Sequence, residues 1–153
     1  MNIRHLVVPI ALLSAIAATA GEPTFTPAKP GDLPKEFFLV LDKASCKLHP
    51  DVQPDVLGTV QSTLEALPGR KGDELKLVLN FKSFKERGAF GMMGGTKATA
   101  EVEATVLDKA GKVIWTGIAE VRALNKDFGS FTDNALSIIG KKTVTELRKA
   151  LSF

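Results

Sequence analysis

The chain has 153 residues, with 20 Lys and Arg against 17 Asp and Glu and a formal charge of +3. So near a balance argues against a nucleic-acid partner, which calls for a concentrated basic stripe. A single cysteine, Cys46, excludes an intrachain disulfide, so the fold must rest on its hydrophobic core.

Residues 1–20 read as a cleavable export signal. Arg4 and His5 form a basic head, Leu6 to Ala17 is nearly all apolar, and Ala18 and Ala20 occupy the small positions before a cut at Gly21. The apolar run is about twelve residues, short of the roughly twenty that span a bilayer core. The mature protein is therefore expected to carry no transmembrane span, and 19 basic against 17 acidic side chains remain after cleavage. Gly21 stands where a bacterial lipoprotein has its anchoring cysteine, so the expectation is a periplasmic or secreted protein, not a lipoprotein.

Residues 21–35 contain Pro23, Pro27, Pro30 and Pro34 with Gly31, which reads as an extended linker ahead of one domain over residues 36–153. Phe37 to Leu41 is an apolar run of strand length, and Asp42 to Pro50 a connection. Val52, Val56, Leu57, Val60, Leu64 and Leu67 recur at helical spacing, with Asp51 as cap, Pro54 in the first turn and Pro68-Gly69 as the stop.

The period then changes to two. Leu75, Leu77, Leu79 and Phe81 alternate with polar residues, as do Ala98, Ala100, Val102, Ala104 and Val106 with Thr99, Glu101, Glu103 and Thr105. A turn around Gly111 leads to a return strand over Val113 to Leu124. Ser130 and Asp133 resemble the start of a capping box for a C-terminal helix carrying Leu136, Ile139, Thr143, Leu147 and Ala150, with Arg148 and Lys149 suited to its C-terminal dipole. The order predicts a two-layer α+β domain: a mainly antiparallel sheet, made of a three-strand meander and an N-terminal strand, with both helices on one face.

Three groups of residues invite chemistry. Cys46 and His49 form a Cys-x-x-His pair, but two ligands fall short of a metal site even with Met92 or Met93 added, and the simpler reading is a loop histidine beside a small buried thiol. Glu101 and Glu103 stand about 6.6 Å apart on one strand face, a spacing compatible with paired-carboxylate hydrolysis, yet Thr99 and Thr105 beside them describe an ordinary solvated face. No metal and no cofactor is expected. The segment Arg87 to Lys97 has the wrong glycine spacing for a phosphate loop and precedes a strand. It reads either as a hairpin connection exposing Phe90, Met92 and Met93 with Lys82, Lys85, Arg87 and Lys97 nearby, or as one folding back over the core edge.

Arg87, the glycine-rich run Gly88, Phe90, Gly91, Gly94 and Gly95, the alternating strand, the turn from Asp108 through Gly111 and the final helix together resemble a bacterial envelope family catalogued only as a domain of unknown function, number forty-four ten. The resemblance runs from Leu75 to Phe153. It implies a small exported protein or lipoprotein without assigned activity, and it supplies no active-site residues. The sequence-level expectation is thus a non-catalytic binding or accessory protein of the cell envelope. Arg87, Phe90, Met92, Met93 and Lys97 would meet an envelope protein or an anionic envelope surface. A small periplasmic hydrolase or a metal-binding protein is the alternative.

Overall fold

Period-two alternation builds the centre of the molecule. The computed structural model describes residues 24–29, 32–87, 97–124, 127 and 134–153. In chain order these form β1 (Thr26–Lys29), β2 (Phe37–Leu41), a single 3-10 turn (Lys43–Ser45), β3 (Lys47–Leu48), α1 (Asp55–Glu65), β4 (Asp73–Arg87), β5 (Lys97–Leu107), β6 (Val113–Leu124) and α2 (Ala135–Leu151). The sheet runs β1-β6-β5-β4-β2, with β3 also beside β4. The meander β4-β5-β6 is antiparallel and β1 adds antiparallel to β6, whereas β2 and β3 run parallel to β4. Parallel pairing follows from the order strand, helix, strand, because α1 is the crossover that returns the chain to the same end of the sheet.

One face of the sheet is closed and the other open. Leu75, Leu77, Leu79 and Phe81 of β4, the alternate residues Ala98 to Val106 of β5, and Trp115, Ala119, Val121 and Ala123 of β6 are all buried. Val56, Val60 and Leu64 of α1 and Ile139, Val144 and Leu147 of α2 complete this core. Each large apolar side chain taken from water in this way contributes about 1.5–3 kcal/mol. The helices pack on each other at Gly140, where a Cβ atom would come within 3.1 Å of the Val56 carbonyl oxygen. The expected two-layer α+β architecture is therefore the one observed.

Several details differ from the sequence reading. The sheet begins inside the segment read as a linker: β1 carries Pro27, and Phe25 before it is buried with its ring edge-on to Trp115 at 6.2 Å between centroids. Proline is tolerated there because β1 is an edge strand whose outer side needs no donor. The connection after β2 contains β3, with the His49 amide donating to the Phe81 carbonyl at 2.8 Å.

Helix α1 is capped by Pro54, not Asp51. Proline disfavours helical backbone in Gln53 before it, so the helix does not extend back to Val52, which is buried from a turn closed by its amide on the His49 carbonyl. Helix α2 is capped by Asn134, whose side-chain oxygen accepts from the Ser137 amide at 2.8 Å; Ser130 and Asp133 lie outside the described residues. Within α2, Glu146 is buried; its Oε1 accepts from Lys149 Nζ at 3.0 Å, while Oε2 has no partner among the described residues.

Candidate functional site

The alternation of β4 is interrupted once, and that interruption shapes the surface most suited to binding. The register between β4 and β5 shifts between Phe81 and Ser83, so Phe81 faces Val102 and Phe84 faces Ala100. Such a bulge inserts one residue and reverses the parity of everything after it. Odd-numbered residues of β4 face the core up to Phe81; beyond the bulge Phe84 packs on the core and the odd-numbered Lys85 and Arg87 turn to the open face.

Pairing across the strands then collects positive charge. Arg87 lies opposite Lys97, and Lys97 opposite Leu124 on β6; one row below, Lys85 lies opposite Thr99, and Thr99 opposite Arg122. All four basic residues are exposed, and Leu124 is 41% exposed beside them. Lys85, Arg87 and Lys97 have no ion pair among the described residues, whereas Arg122 Nε donates to Glu120 Oε1 at 2.6 Å. The sequence reading singled out Lys85, Arg87 and Lys97, along with Lys82, but missed Arg122 and Leu124. Their alternation with Val121 and Ala123 places them on the open face, but only the strand register brings them to the hairpin tip. Phe90, Met92 and Met93 lie outside the described residues, as do Ala18, Ala20 and Gly21.

Below the basic tip the same face turns acidic. Glu101 stands directly opposite Glu120, and Glu103 opposite Asn80 and Ile118. Lys82, the residue inserted at the bulge, is held by Glu103 at 2.7 Å, and this hydrogen bond raises the lysine pKa. Glu101 and Glu103 thus sit on an open sheet face with different partners, one opposed by a carboxylate and the other neutralised by a cation.

Cys46 and His49 are drawn into separate backbone roles. The Cys46 thiol donates to the Asp42 carbonyl at 3.2 Å and accepts from the Leu79 amide at 3.3 Å, and burial pushes its pKa above the ordinary thiol value. Thiolate chemistry requires the opposite shift. His49 Nδ1 accepts from the Asp51 amide at 3.2 Å and lies 3.4 Å from the Asp51 carboxylate. Among the described residues, no three His, Cys, Asp or Glu side chains cluster in a way that would hold a metal ion, and no helix is long and apolar enough to cross a membrane.

No family model matches the chain, and a search of curated proteins finds no relative. Among solved structures, the chain is similar to a PelC dodecamer from Paraburkholderia phytofirmans at 12% identity and a TM-score of 0.47, covering 82% of this chain and 96% of that one. A point variant of the same PelC dodecamer is similar at 14% identity, with the same TM-score and the same coverage.

Proposed function

We propose that this chain is an exported, non-catalytic accessory protein of the bacterial cell envelope that docks on an anionic envelope surface through the tip of the β4–β5 hairpin. The observation that carries the reading is the convergence of Lys85, Arg87, Lys97 and Arg122 on one end of the open sheet face, next to exposed Leu124. The whole chain is nearly balanced in charge, so a cluster in which three cations lack acid partners among the described residues is a local feature rather than a consequence of composition. Basic residues near an anionic bilayer contribute about 1 kcal/mol each, and neighbouring apolar side chains add burial at the headgroup level. The leader at residues 1–20, the glycine-rich connection bearing Phe90, Met92 and Met93, and the resemblance to an exported envelope family support the same reading.

The test is co-sedimentation of the mature protein with vesicles of phosphatidylglycerol and phosphatidylethanolamine, compared with vesicles of phosphatidylcholine alone. Binding should require the anionic lipid, weaken steeply as salt rises, and be lost when Lys85, Arg87 and Lys97 are each replaced by Glu. Equal binding to both vesicle types, or full binding by the charge-reversed protein, overturns the proposal. If a protein partner is recognised instead, the mature protein leaves both vesicle types unbound.

A further inference from the structure

With both described helices on the core side, the open face of the sheet is left uncovered among the described residues, and its charges are ordered in rows across β5 and β6. Counted from the hairpin tip, Lys97 stands beside Leu124, and Thr99 beside Arg122. Glu101 then stands beside Glu120, and Glu103 beside Ile118. Two basic rows are thus followed by two acidic ones. The first and last of the four both end on β6 in an apolar residue. These two, Leu124 at 41% and Ile118 at 38%, are the large apolar side chains that are exposed among the described residues. They lie six residues apart on one strand, about 20 Å, so neither can cover the other within one chain.

The geometry points to a second copy of this chain as the occupant of the open face, packed sheet on sheet about a two-fold axis that runs across the strands between the rows of Thr99 and Glu101. Such an axis keeps each strand over its own counterpart and reverses its direction. On β6, Leu124 then lies over Ile118 of the second copy, and Arg122 over its Glu120. On β5, Lys97 lies over Glu103 and Thr99 over Glu101. Each contact occurs twice, as an isologous interface requires. The register that joins the two exposed apolar residues is therefore also the one that sets cations on carboxylates.

Arg122 and Glu120, already 2.6 Å apart within the chain, meet their symmetry mates as four charges of alternating sign around the axis. Glu103, which holds Lys82 at 2.7 Å, receives Lys97 of the other copy as its second cation. A two-fold axis along the strands would instead lay every row on itself, basic on basic and acidic on acidic, which opposes association. Four rows across β4, β5 and β6 cover about 27 by 14 Å, at about 6.8 Å per row and 4.8 Å per strand. That is roughly 400 Å² per copy before side-chain relief is counted, below the about 800 Å² of a standard interface, so the dimer is expected to be micromolar and sensitive to salt. Lys97 and Arg122 also belong to the tip assigned to an anionic surface. Self-association and docking thus exclude each other on one chain, although the dimer does not rest on the docking reading.

The experiment is sedimentation velocity on the mature protein from about 1 μM to about 1 mM. Monomer and dimer should be in reversible exchange, with the dissociation constant rising about tenfold between about 0.05 and about 0.5 M salt. Ile118→Lys sets a cation against the basic tip row of the other copy, and Leu124→Glu sets a carboxylate against its Glu103 row, so each variant alone should be monomeric. Mixed in equal amounts, the two variants should associate, because one apolar contact becomes an ion pair and the other is unchanged. An unaltered protein that stays monomeric to about 1 mM overturns the proposal, as does a dimer that salt leaves unchanged. So does a dimer that persists in either single variant, or a mixture of the two that fails to associate. Both positions are exposed, and the salt comparison on the unaltered protein stands whether or not a variant folds. Vesicle binding measured below the dissociation constant, where the chains are separate, tests docking by itself: a strictly monomeric protein that binds anionic vesicles removes the dimer alone, and a dimerising protein that does not bind them removes docking alone.

Discussion

The Cys46 thiol accepts a hydrogen bond from the Leu79 amide at 3.3 Å, between the point where β2 stops pairing with β4 and the point where β3 begins. β2 pairs with β4 as far as Leu77 and β3 pairs from Asn80, so without the thiol the Leu79 amide would point into the gap in the ladder between β2 and β3 with no strand acceptor. The side chain stands in for a missing strand residue, and it is itself anchored by donation to the Asp42 carbonyl. Cys46→Ala should therefore destabilise by about 1–2 kcal/mol, the cost of an unsatisfied buried donor, and Cys46→Ser by less because its hydroxyl can both donate and accept. Urea midpoints measure both, and an Ala variant as stable as the unaltered protein would remove this role.

The same environment sets a pH dependence. Burial raises the folded-state pKa of Cys46 above the ordinary 9.0, with the Asp42 charge adding to the rise and the Leu79 hydrogen bond opposing it. The unfolded thiol ionises first as pH increases. The stability associated with the neutral thiol is thus intact below about pH 9 and is lost as pH rises through the ordinary value toward the folded one. Urea midpoints taken from pH 7 to 10 should fall more for the unaltered protein than for Cys46→Ser. Native-state alkylation by iodoacetamide should also be slower than for a free thiol at the same pH. Parallel pH curves for the two proteins would contradict the assignment.

Face assignment on β5 predicts a sharp contrast between neighbours. Val102 is fully buried, opposite Phe81 and Ala119 in adjacent strands. Val102→Asp places an unpaired charge there and should cost about 3–5 kcal/mol. Glu101 is exposed and faces Glu120, so Glu101→Ala should shift stability by less than about 0.5 kcal/mol, in the stabilising direction as a like-charge pair is relieved. Comparable losses from the two substitutions, read by chemical denaturation, would mean that the faces are exchanged.

The contrast between Val102 and Glu101 was legible from alternation alone, because a half-buried strand writes its two faces into every second residue. Helical spacing at Val56, Val60 and Leu64 was legible for the same reason with a different period. What alternation does not carry is pairing between distant segments. The parallel direction of β2, the addition of β1 to β6 and the opposition of Arg122 to Thr99 all depend on register, which is set by the core as a whole. Pro27 pointed away from a strand because local propensity does not distinguish a central strand from an edge. The bulge after Phe81 had a faint trace in the sequence: Phe84 falls out of phase with Leu75 to Phe81, and one inserted residue restores it to the core face. For the candidate site, Lys85, Arg87 and Lys97 were visible as charges around a glycine-rich segment, whereas Arg122 joined them only through the strand pairing, and the bulge decided that Lys85 shares their face. Cys46 and His49 looked like a ligand pair because spacing reports proximity along the chain, but the folded backbone assigns the thiol to Leu79 and the imidazole to Asp51.

Processing gives an independent test of the export reading. Ala18 and Ala20 at the small positions, with glycine rather than cysteine behind them, predict a mature N-terminus at Gly21 without lipid. Intact mass of protein isolated from the native host should match residues 21–153. A mass that retains the first twenty residues or includes acyl chains would exclude cleavage by the ordinary signal peptidase route.

Gly117 is the position where a small change should be felt most clearly. It lies on the core face of β6 between Trp115 and Ala119, and the Trp115 ring lies across it. A Cβ there would collide with Cη2 of the indole and come within 2.7 Å of Cζ2. Replacing glycine by alanine in a strand ordinarily stabilises by about 0.5–1 kcal/mol through backbone entropy. Here the indole has to move, and with it the edge-on contact to Phe25 that ties β1 to the core. Overpacking of this kind costs about 1–3 kcal/mol, so the net effect of Gly117→Ala is destabilising. Trp115 is the only tryptophan, which makes its emission a direct reporter: the variant should shift to longer wavelength as the ring gains solvent. In a Trp115→Leu background the clash is absent, and the same Gly117→Ala change should be neutral or stabilising. If Gly117→Ala destabilises equally in both backgrounds, contact with the indole is not the reason that glycine occupies this position.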